Sequence, residues 1–352
     1  MLKKTIRDLS THSIIYSITW VASSAAGILL MPVYTRFLSK VDYGILEILD
    51  YTRQMLMLVA LSGLRIAIPK FFSEESLPSH KKIIVSTGTI YILIIGGIGC
   101  LMGLFLNDGI ADFILGNTEY ANLVDLMLFV LFFELIIMVV TSGFMASKQS
   151  PVYVGYSLSK LVLNITANLY FIVLLKLGVI GMLYGSLLSN GVIALVIVVH
   201  SSIVNGIRVD FAVMKKMLFF GAPLIGAELI GAILHNADRF LIRHYGLLSD
   251  VGIYSLGYKF PFFLNALILQ SFSFIWLGAT LYEIAKRPDG AYEYTRVTTY
   301  FMGIYIFAMF SLSVLSQSIV RVLADEKFFV AHEIIPFVAF GFCFDGISTF
   351  FP

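Results

Sequence analysis

The chain has 352 residues, of which 59% are hydrophobic and only 13% are charged, whereas an ordinary soluble domain carries about 25% charged residues. This composition excludes a water-soluble globular protein. The formal net charge is +2, so the chain lacks the bulk basicity typical of nucleic-acid-binding proteins. The two cysteines, Cys100 and Cys343, lie inside apolar runs and provide neither a disulfide framework nor a metal-binding spacing.

Apolar runs long enough to cross a bilayer, about 20 residues each, recur along the chain. The first run follows a basic start and is too long for the apolar part of a signal peptide, so it is predicted to be a retained span. We predict an all-α, polytopic membrane protein of about ten transmembrane helices. The predicted spans are 12–32, 43–64, 83–106, 122–145, 152–175, 178–200, 217–237, 252–283, 297–316 and 333–352.

Basic residues are divided unevenly between the two sides of this predicted bundle. With the N-terminus in the cytoplasm, the cytoplasmic connections hold about twice as many lysines and arginines as the outer ones. The outer connection 107–121 has no basic residue and contains Asp108, Asp112 and Glu119. The positive-inside rule therefore predicts a multi-pass protein with a cytoplasmic N-terminus.

A weak internal repeat has an offset of about 208 residues. The sequence of 42–46, at the entrance to an apolar run, aligns with that of 250–254, and 110–120 aligns closely with 319–328. Because six is an even number of membrane crossings, two copies of six spans have the same orientation in the membrane, as in parallel-repeat transporters. We therefore predict two lobes, 1–207 with about six helices and 208–352 with about four, so that the second lobe is incomplete.

Ionisable residues inside spans are costly and usually face a cavity or a partner. In the second span, Glu47, Asp50 and Arg53 share a broad face. These residues form part of a functional site, or Asp50 and Arg53 form an ordinary ion pair near the outer interface. Glu134 lies in the fourth span. Arg65, at the inner end of the second span, is either a snorkelling anchor or a contact for an anionic headgroup.

A polar stripe runs along the fifth span at helical spacing. Its members are Ser157, Lys160, Asn164 and Asn168. A lysine facing lipid would be costly, so the stripe is predicted to face the interior. It lines a cavity or hydrogen-bonds to a neighbouring helix.

The seventh span places Glu228, His235 and Arg239 on one face. Glu228 is a candidate for proton exchange, and the alternative is a carboxylate paired with a buried base such as Lys259 of the next span. His235 is either a pH-sensitive group or an interior histidine with its hydrogen bonds satisfied. The sequence lacks metalloprotease, nucleophile-elbow and Walker motifs. We therefore predict a protein that is not an enzyme and has no metal or cofactor.

Several turn-and-helix segments carry a resemblance to a known family. They are the segment from Pro32 to Gly44, the run 220–224, Asp238 to Phe240, and 251–255 with Tyr258 and Lys259. The chain resembles the polysaccharide exporter branch of the multidrug/oligosaccharidyl-lipid/polysaccharide superfamily, the Wzx-type flippases.

The resemblance implies an inner-membrane flippase that moves an undecaprenyl-diphosphate-linked repeat unit to the outer leaflet by alternating access, for O-antigen, capsule or exopolysaccharide synthesis. Implied partners are this lipid-linked glycan, the bilayer, and the polymerase and chain-length proteins of the pathway, with no nucleic acid. Implied substrate-binding residues are Lys160, Lys259, Arg65, Arg53, Asn164 and Asn168. Implied ion-coupling residues are Glu228, Asp50, Glu134 and His235. A drug exporter of the same superfamily, and a membrane glycosyltransferase or polymerase, are the alternatives.

Overall fold

A computed structural model of the chain describes residues 22, 25–61, 63–272, 276 and 289–350. The secondary structure of these residues is helical. The α-helices are α1 (Met31–Phe37), α2 (Lys40–Leu61), α3 (Leu64–Glu74), α4 (Pro78–Phe105), α5 (Asn107–Leu115), α6 (Ala121–Ala146), α7 (Ser150–Leu169), α8 (Gly178–Asn205), α9 (Phe211–Tyr245), α10 (Leu248–Asn265), α11 (Gly290–Leu323) and α12 (Ile335–Phe350). Short 3-10 segments cover Thr118–Tyr120 and Glu326–Glu333, and π-helical turns cover Tyr170–Leu174 and Ala266–Gln270.

Eight helical stretches of the described chain are long and apolar enough to cross a membrane. They are Lys40–Glu74, Pro78–Phe105, Thr118–Ala146, Ser150–Leu174, Gly178–Asn205, Phe211–Tyr245, Leu248–Leu269 and Gly290–Leu323. The segment Glu326–Glu333 and α12 meet at 46° and give a ninth if counted as one bent span. This confirms the predicted all-α, polytopic fold. The first predicted span, 12–32, lies mostly outside the described residues, as does the last part of the eighth, 252–283.

Helix ends differ from the predicted spans at several places. The predicted span 217–237 is too short, because the helix extends over Phe211–Tyr245, whereas the predicted span 43–64 runs past the end of α2 at Leu61. An apolar window stops at the first charged residue, whereas the backbone helix continues wherever that charge finds a partner. Asp210, for example, begins α9 by accepting hydrogen bonds from the backbone N–H groups of Ala212 and Val213.

Helix boundaries recur at the offset of the sequence repeat. Helices α2 and α10 begin at Lys40 and Leu248, and α5 and α11 end at Leu115 and Leu323. The two 3-10 segments begin at Thr118 and Glu326. All three pairs have a spacing of about 208 residues. The short sequence matches therefore mark equivalent elements in the same chain order, as a parallel repeat requires.

Two compact units divide the chain by its internal contacts. The first is Val41–Val251, and the second combines the residues up to Lys40 with those from Gly252 onward. In the first unit, α6 is the central helix and packs against α3, α4, α7 and α8. In the second unit, α11 and α12 pack through a core that includes Tyr305, Met309 and Phe342. The lobe boundaries 1–207 and 208–352 remain a prediction.

Candidate functional site

Three ionisable side chains of the first unit meet near the middle of their spans. They are Arg53 of α2, Glu134 of α6 and Lys160 of α7. The Nη1 atom of Arg53 contacts Oε2 of Glu134, and Nζ of Lys160 lies 3.4 Å from Oε1 of the same carboxylate. The side chains of Arg53 and Glu134 are only 16% and 14% exposed. Two cations therefore share one largely buried carboxylate, with one cation on each oxygen.

Asp50 extends this cluster toward the surface of the unit. The Nη2 atom of Arg53 donates a hydrogen bond of 3.0 Å to Oδ1 of Asp50, whose side chain is 53% exposed. The predicted pair of Asp50 and Arg53 is thus present, but Arg53 also binds Glu134. The four groups carry two positive and two negative formal charges. This balance limits the cost of placing charge at membrane depth, about 2.5–3.5 kcal/mol for a single unpaired group on insertion scales.

The polar stripe of α7 divides into two parts. Lys160 turns toward Glu134 of α6, whereas the two asparagines bind within the pair formed by α7 and α8. Nδ2 of Asn164 donates to Oγ of Ser189 at 3.1 Å, and Nδ2 of Asn168 donates to Oδ1 of Asn164 at 2.9 Å. Gly185 of α8 allows this approach, because a Cβ there would lie 2.9 Å from Cγ of Asn168. Both asparagines therefore form the helix contact that was the alternative to a cavity lining.

Glu228 of α9 pairs with Arg65 in the first turn of α3. Nη2 of Arg65 donates to Oε1 of Glu228 at 2.9 Å, and the two side chains are 51% and 26% exposed. The base that pairs with Glu228 in the first unit is therefore Arg65. Lys259 lies in α10, in the second unit, and its pairing with Glu228 stays a prediction. Arg65, which was predicted to bind substrate, is therefore ion-paired with Glu228, which was predicted to couple ions.

The predicted face of α9 with Glu228, His235 and Arg239 contains one fully buried side chain. Arg239 has no exposed surface, although it lies two residues beyond the predicted span 217–237. Its guanidinium lies 4.8 Å from the ring centroid of Tyr51, and its Nη1 donates to the backbone oxygen of His235 at 2.8 Å. Nη1 also lies 2.6 Å from Oδ1 of Asp238. A buried cation that contacts an aromatic ring stabilises helix packing. In the sequence, the position of Arg239 on the same helix face as His235 was the pattern that indicated an inward-facing side chain.

A polar group in the second unit was not predicted. The Tyr305 hydroxyl donates to Oδ1 of Asn265 at 2.8 Å, and Nδ2 of Asn265 donates to Oδ2 of Asp345 at 3.4 Å. Asn265 and Tyr305 are buried, and a π-helical turn follows Asn265 directly. The signal in the sequence was Asp345, a carboxylate within the last predicted span, where ionisable residues are costly.

A pocket of about 210 Å³ lies where α3, α4 and α9 come together at their ends, and it is lined by three carboxylates, Glu74, Glu75 and Asp210. Glu75 accepts hydrogen bonds from the backbone N–H groups of Leu77 and Ser76, and the bond from Leu77 is the main cause of the lowered pKa of Glu75. Glu75 also lies 3.4 Å from His80. Each carboxylate of this pocket therefore has a local partner: Asp210 caps α9, Glu75 binds the turn between α3 and α4, and Glu74 lies 3.9 Å from Lys70.

A match between the sequence and a family model shows the family of this chain. The family model "Polysaccharide biosynthesis protein" matches residues 10–278. The chain belongs to the polysaccharide biosynthesis protein family. No curated protein matches the sequence.

Two solved structures show which fold this family member adopts. A point mutant of the Vibrio cholerae MATE transporter VcmN is 15% identical, with a TM-score of 0.64 over 98% of this chain and 83% of that chain. The MATE multidrug transporter DinF-BH is 13% identical, with a TM-score of 0.63 over 98% of this chain and 82% of that chain. The predicted two-lobed, all-α fold of a multi-pass membrane protein is confirmed, and it is the fold of these two transporter structures.

The ion pair between Arg65 and Glu228 gives a prediction about stability. The two side chains contact each other across α3 and α9, so removing either one removes the whole interaction. Arg65→Ala and Glu228→Ala should each lower the Tm of the purified polysaccharide biosynthesis protein, and the double variant should lower it no further than the worse single variant. Scanning fluorimetry in detergent measures this. A double variant whose loss equals the sum of both single losses would show that the two residues act independently.

Proposed function

We propose that this polysaccharide biosynthesis family protein is a flippase. It moves polyprenyl-diphosphate-linked oligosaccharide repeat units from the cytoplasmic to the outer leaflet by alternating access, for the synthesis of O-antigen, capsule or exopolysaccharide. The observation that carries the proposal is the convergence of Arg53 and Lys160 near the middle of their spans. A diphosphate headgroup is recognised by charge-assisted donors of this kind.

The headgroup and the lipid tail place different demands on such a protein. The polyprenyl tail remains in the hydrocarbon region at no electrostatic cost, so only the sugar diphosphate needs a polar environment at membrane depth. Each phosphate carries negative charge that would be costly in lipid without nearby cations. A pair of cations at mid-span lowers that cost, which is the physical requirement for moving the headgroup between leaflets.

Location and partners follow from this proposal. The uneven distribution of lysine and arginine supports an inner-membrane protein with a cytoplasmic N-terminus. The substrate arrives from the enzymes that assemble the glycan on its lipid carrier, and the product is presented to a polymerase and to chain-length proteins. Among the remaining predicted site residues, we propose that Lys259 and His235 take part in transport, whereas Asn164 and Asn168 hold α7 against α8.

Reconstitution tests the proposal. The purified chain is placed in liposomes with a fluorescently labelled polyprenyl-diphosphate glycan, and a membrane-impermeant quencher reports how fast label moves between leaflets. We expect faster movement than in protein-free liposomes and no accumulation of the cationic dye ethidium under an imposed proton or sodium gradient. Dye accumulation without movement of the glycan would instead assign the protein to drug export.

A further inference from the structure

The carboxylate of Glu134 is held in an unusual way. Its two oxygens bind two different cations, Oε2 on Arg53 and Oε1 on Lys160. These cations come from two other helices, α2 and α7, so the carboxylate connects three separate elements of the first unit. A phosphate group also offers adjacent oxygens with shared negative charge. The position of the Glu134 carboxylate is therefore a position that a phosphate could take.

We propose that Glu134 is an internal counter-ion that occupies the anion site and is displaced by a phosphate of the substrate headgroup. This inference rests on the proposed flippase function and deepens it, because it assigns Arg53 and Lys160 to the phosphate and Glu134 to competition with it. Glu134 acts by positioning the two cations when the site is empty of substrate. Because α6 lies in the packed centre of the unit, its backbone stays in place during displacement. The Glu134 side chain therefore leaves the site by rotation.

Electrostatics gives the reason for such an arrangement. Two cations close together at membrane depth repel each other and are costly without an anion. Glu134 supplies that anion before substrate arrives, and the phosphate supplies it afterwards, so the cations keep a counter-ion throughout. Competition by Glu134 also weakens phosphate binding. A transport site must bind strongly enough for entry and weakly enough for release, and an internal competitor provides that balance.

The four side chains of the cluster differ in exposure. Glu134 and Arg53 are mostly buried, whereas Asp50 on the same arginine is 53% exposed. Lys160, with 31% of its side chain exposed, completes the site from α7.

Pyrophosphate binding to the full chain in detergent tests the inference. Inorganic pyrophosphate serves as the probe, and its Kd is measured by isothermal titration calorimetry for wild type, Glu134→Gln and Glu134→Asp. Removal of the competing charge in Glu134→Gln should tighten binding about ten-fold. Glu134→Asp keeps the charge on a shorter side chain, so its Kd should fall between the other two. Binding that is unchanged or weaker in both variants would overturn the inference.

A matched control comes from the same helix. Asp125 lies in α6 and accepts a hydrogen bond of 2.9 Å from Asn107, so Asp125→Asn removes one carboxylate from α6 at a distance from the two cations. Its Kd for pyrophosphate should equal that of wild type. Equal tightening in Asp125→Asn and Glu134→Gln would overturn the inference, because it would mean that overall charge and not local competition sets the affinity.

Two results separate the role of Glu134 from the flippase function. If wild type moves the glycan but Glu134→Gln does not bind pyrophosphate more tightly, the flippase function stands and the role of Glu134 is wrong. If Glu134→Gln tightens pyrophosphate binding but no protein moves the glycan, the anion site stands and the flippase function is wrong.

Discussion

Lys160→Ala should slow the movement of polyprenyl-diphosphate glycan between leaflets by at least about ten-fold, while the yield of folded protein stays near that of wild type. The substitution removes one of two cations from the proposed phosphate site. A hydrogen bond to a charged group contributes about 1.5–3 kcal/mol, which corresponds to roughly a ten-fold to hundred-fold change. Folding survives because Glu134 keeps Arg53 as its partner. The quencher assay in proteoliposomes measures the rate.

Two further variants make the Lys160 result specific. Lys160→Arg keeps the positive charge at the same position and should retain most of the rate. Lys215→Ala removes a lysine from the start of α9, away from the cluster, and should behave like wild type. Normal movement of the glycan in well-folded Lys160→Ala protein would remove Lys160 from the proposed site.

Gly63→Ala should prevent most of the chain from folding into its native packing. Gly63 has a φ of +71°, which costs an L-residue with a side chain about 1–2 kcal/mol. A Cβ at this position would also lie 2.6 Å from the carbonyl oxygen and 2.8 Å from the carbonyl carbon of Gly221 in α9. Backbone atoms of a packed helix cannot yield cheaply, so the collision adds to the strain. Together these costs take up a large share of a typical stability of about 5–15 kcal/mol.

Gly99→Ala is the matched control for Gly63→Ala. Gly99 lies within α4, and a Cβ added there meets no atom within 4 Å. Alanine also favours a helix over glycine by about 1 kcal/mol, so this variant should fold at least as well as wild type. Size-exclusion chromatography in detergent and the Tm compare the two proteins. A Gly63→Ala protein that is as monodisperse and as heat-resistant as Gly99→Ala would contradict the close approach of Gly63 to Gly221.

The spans were predictable from the sequence because hydrophobicity is a local property. Each apolar run carries its own reason to form a membrane helix, and nine of the ten predicted spans overlap described helical stretches that can cross a membrane, with the bent pair counted as one. Helix ends were less predictable, since they depend on partners such as the backbone groups that Asp210 caps. The repeat was detectable because Lys40 and Leu248 start equivalent helices.

The candidate site was predictable only as separate residues. Helical spacing and the cost of charge in a membrane identified Arg53, Glu134 and Lys160, because these properties can be judged within one span. Their meeting depends on how α2, α6 and α7 pack, and that packing has no signal in a single sequence. For the same reason, the pairing of Glu228 with Arg65 could not be told from pairing with another base.

A comparison of two lipids that differ only in charge tests whether Arg53 and Lys160 act on the diphosphate. Proteoliposomes containing the wild-type chain receive either the polyprenyl-diphosphate glycan or the same glycan on the same tail through an uncharged linkage, and the quencher assay measures movement of each. If the cations act on the diphosphate, the charged lipid should move at least about ten-fold faster than the uncharged one. Equal rates for the two lipids would show that Arg53 and Lys160 do not recognise the headgroup.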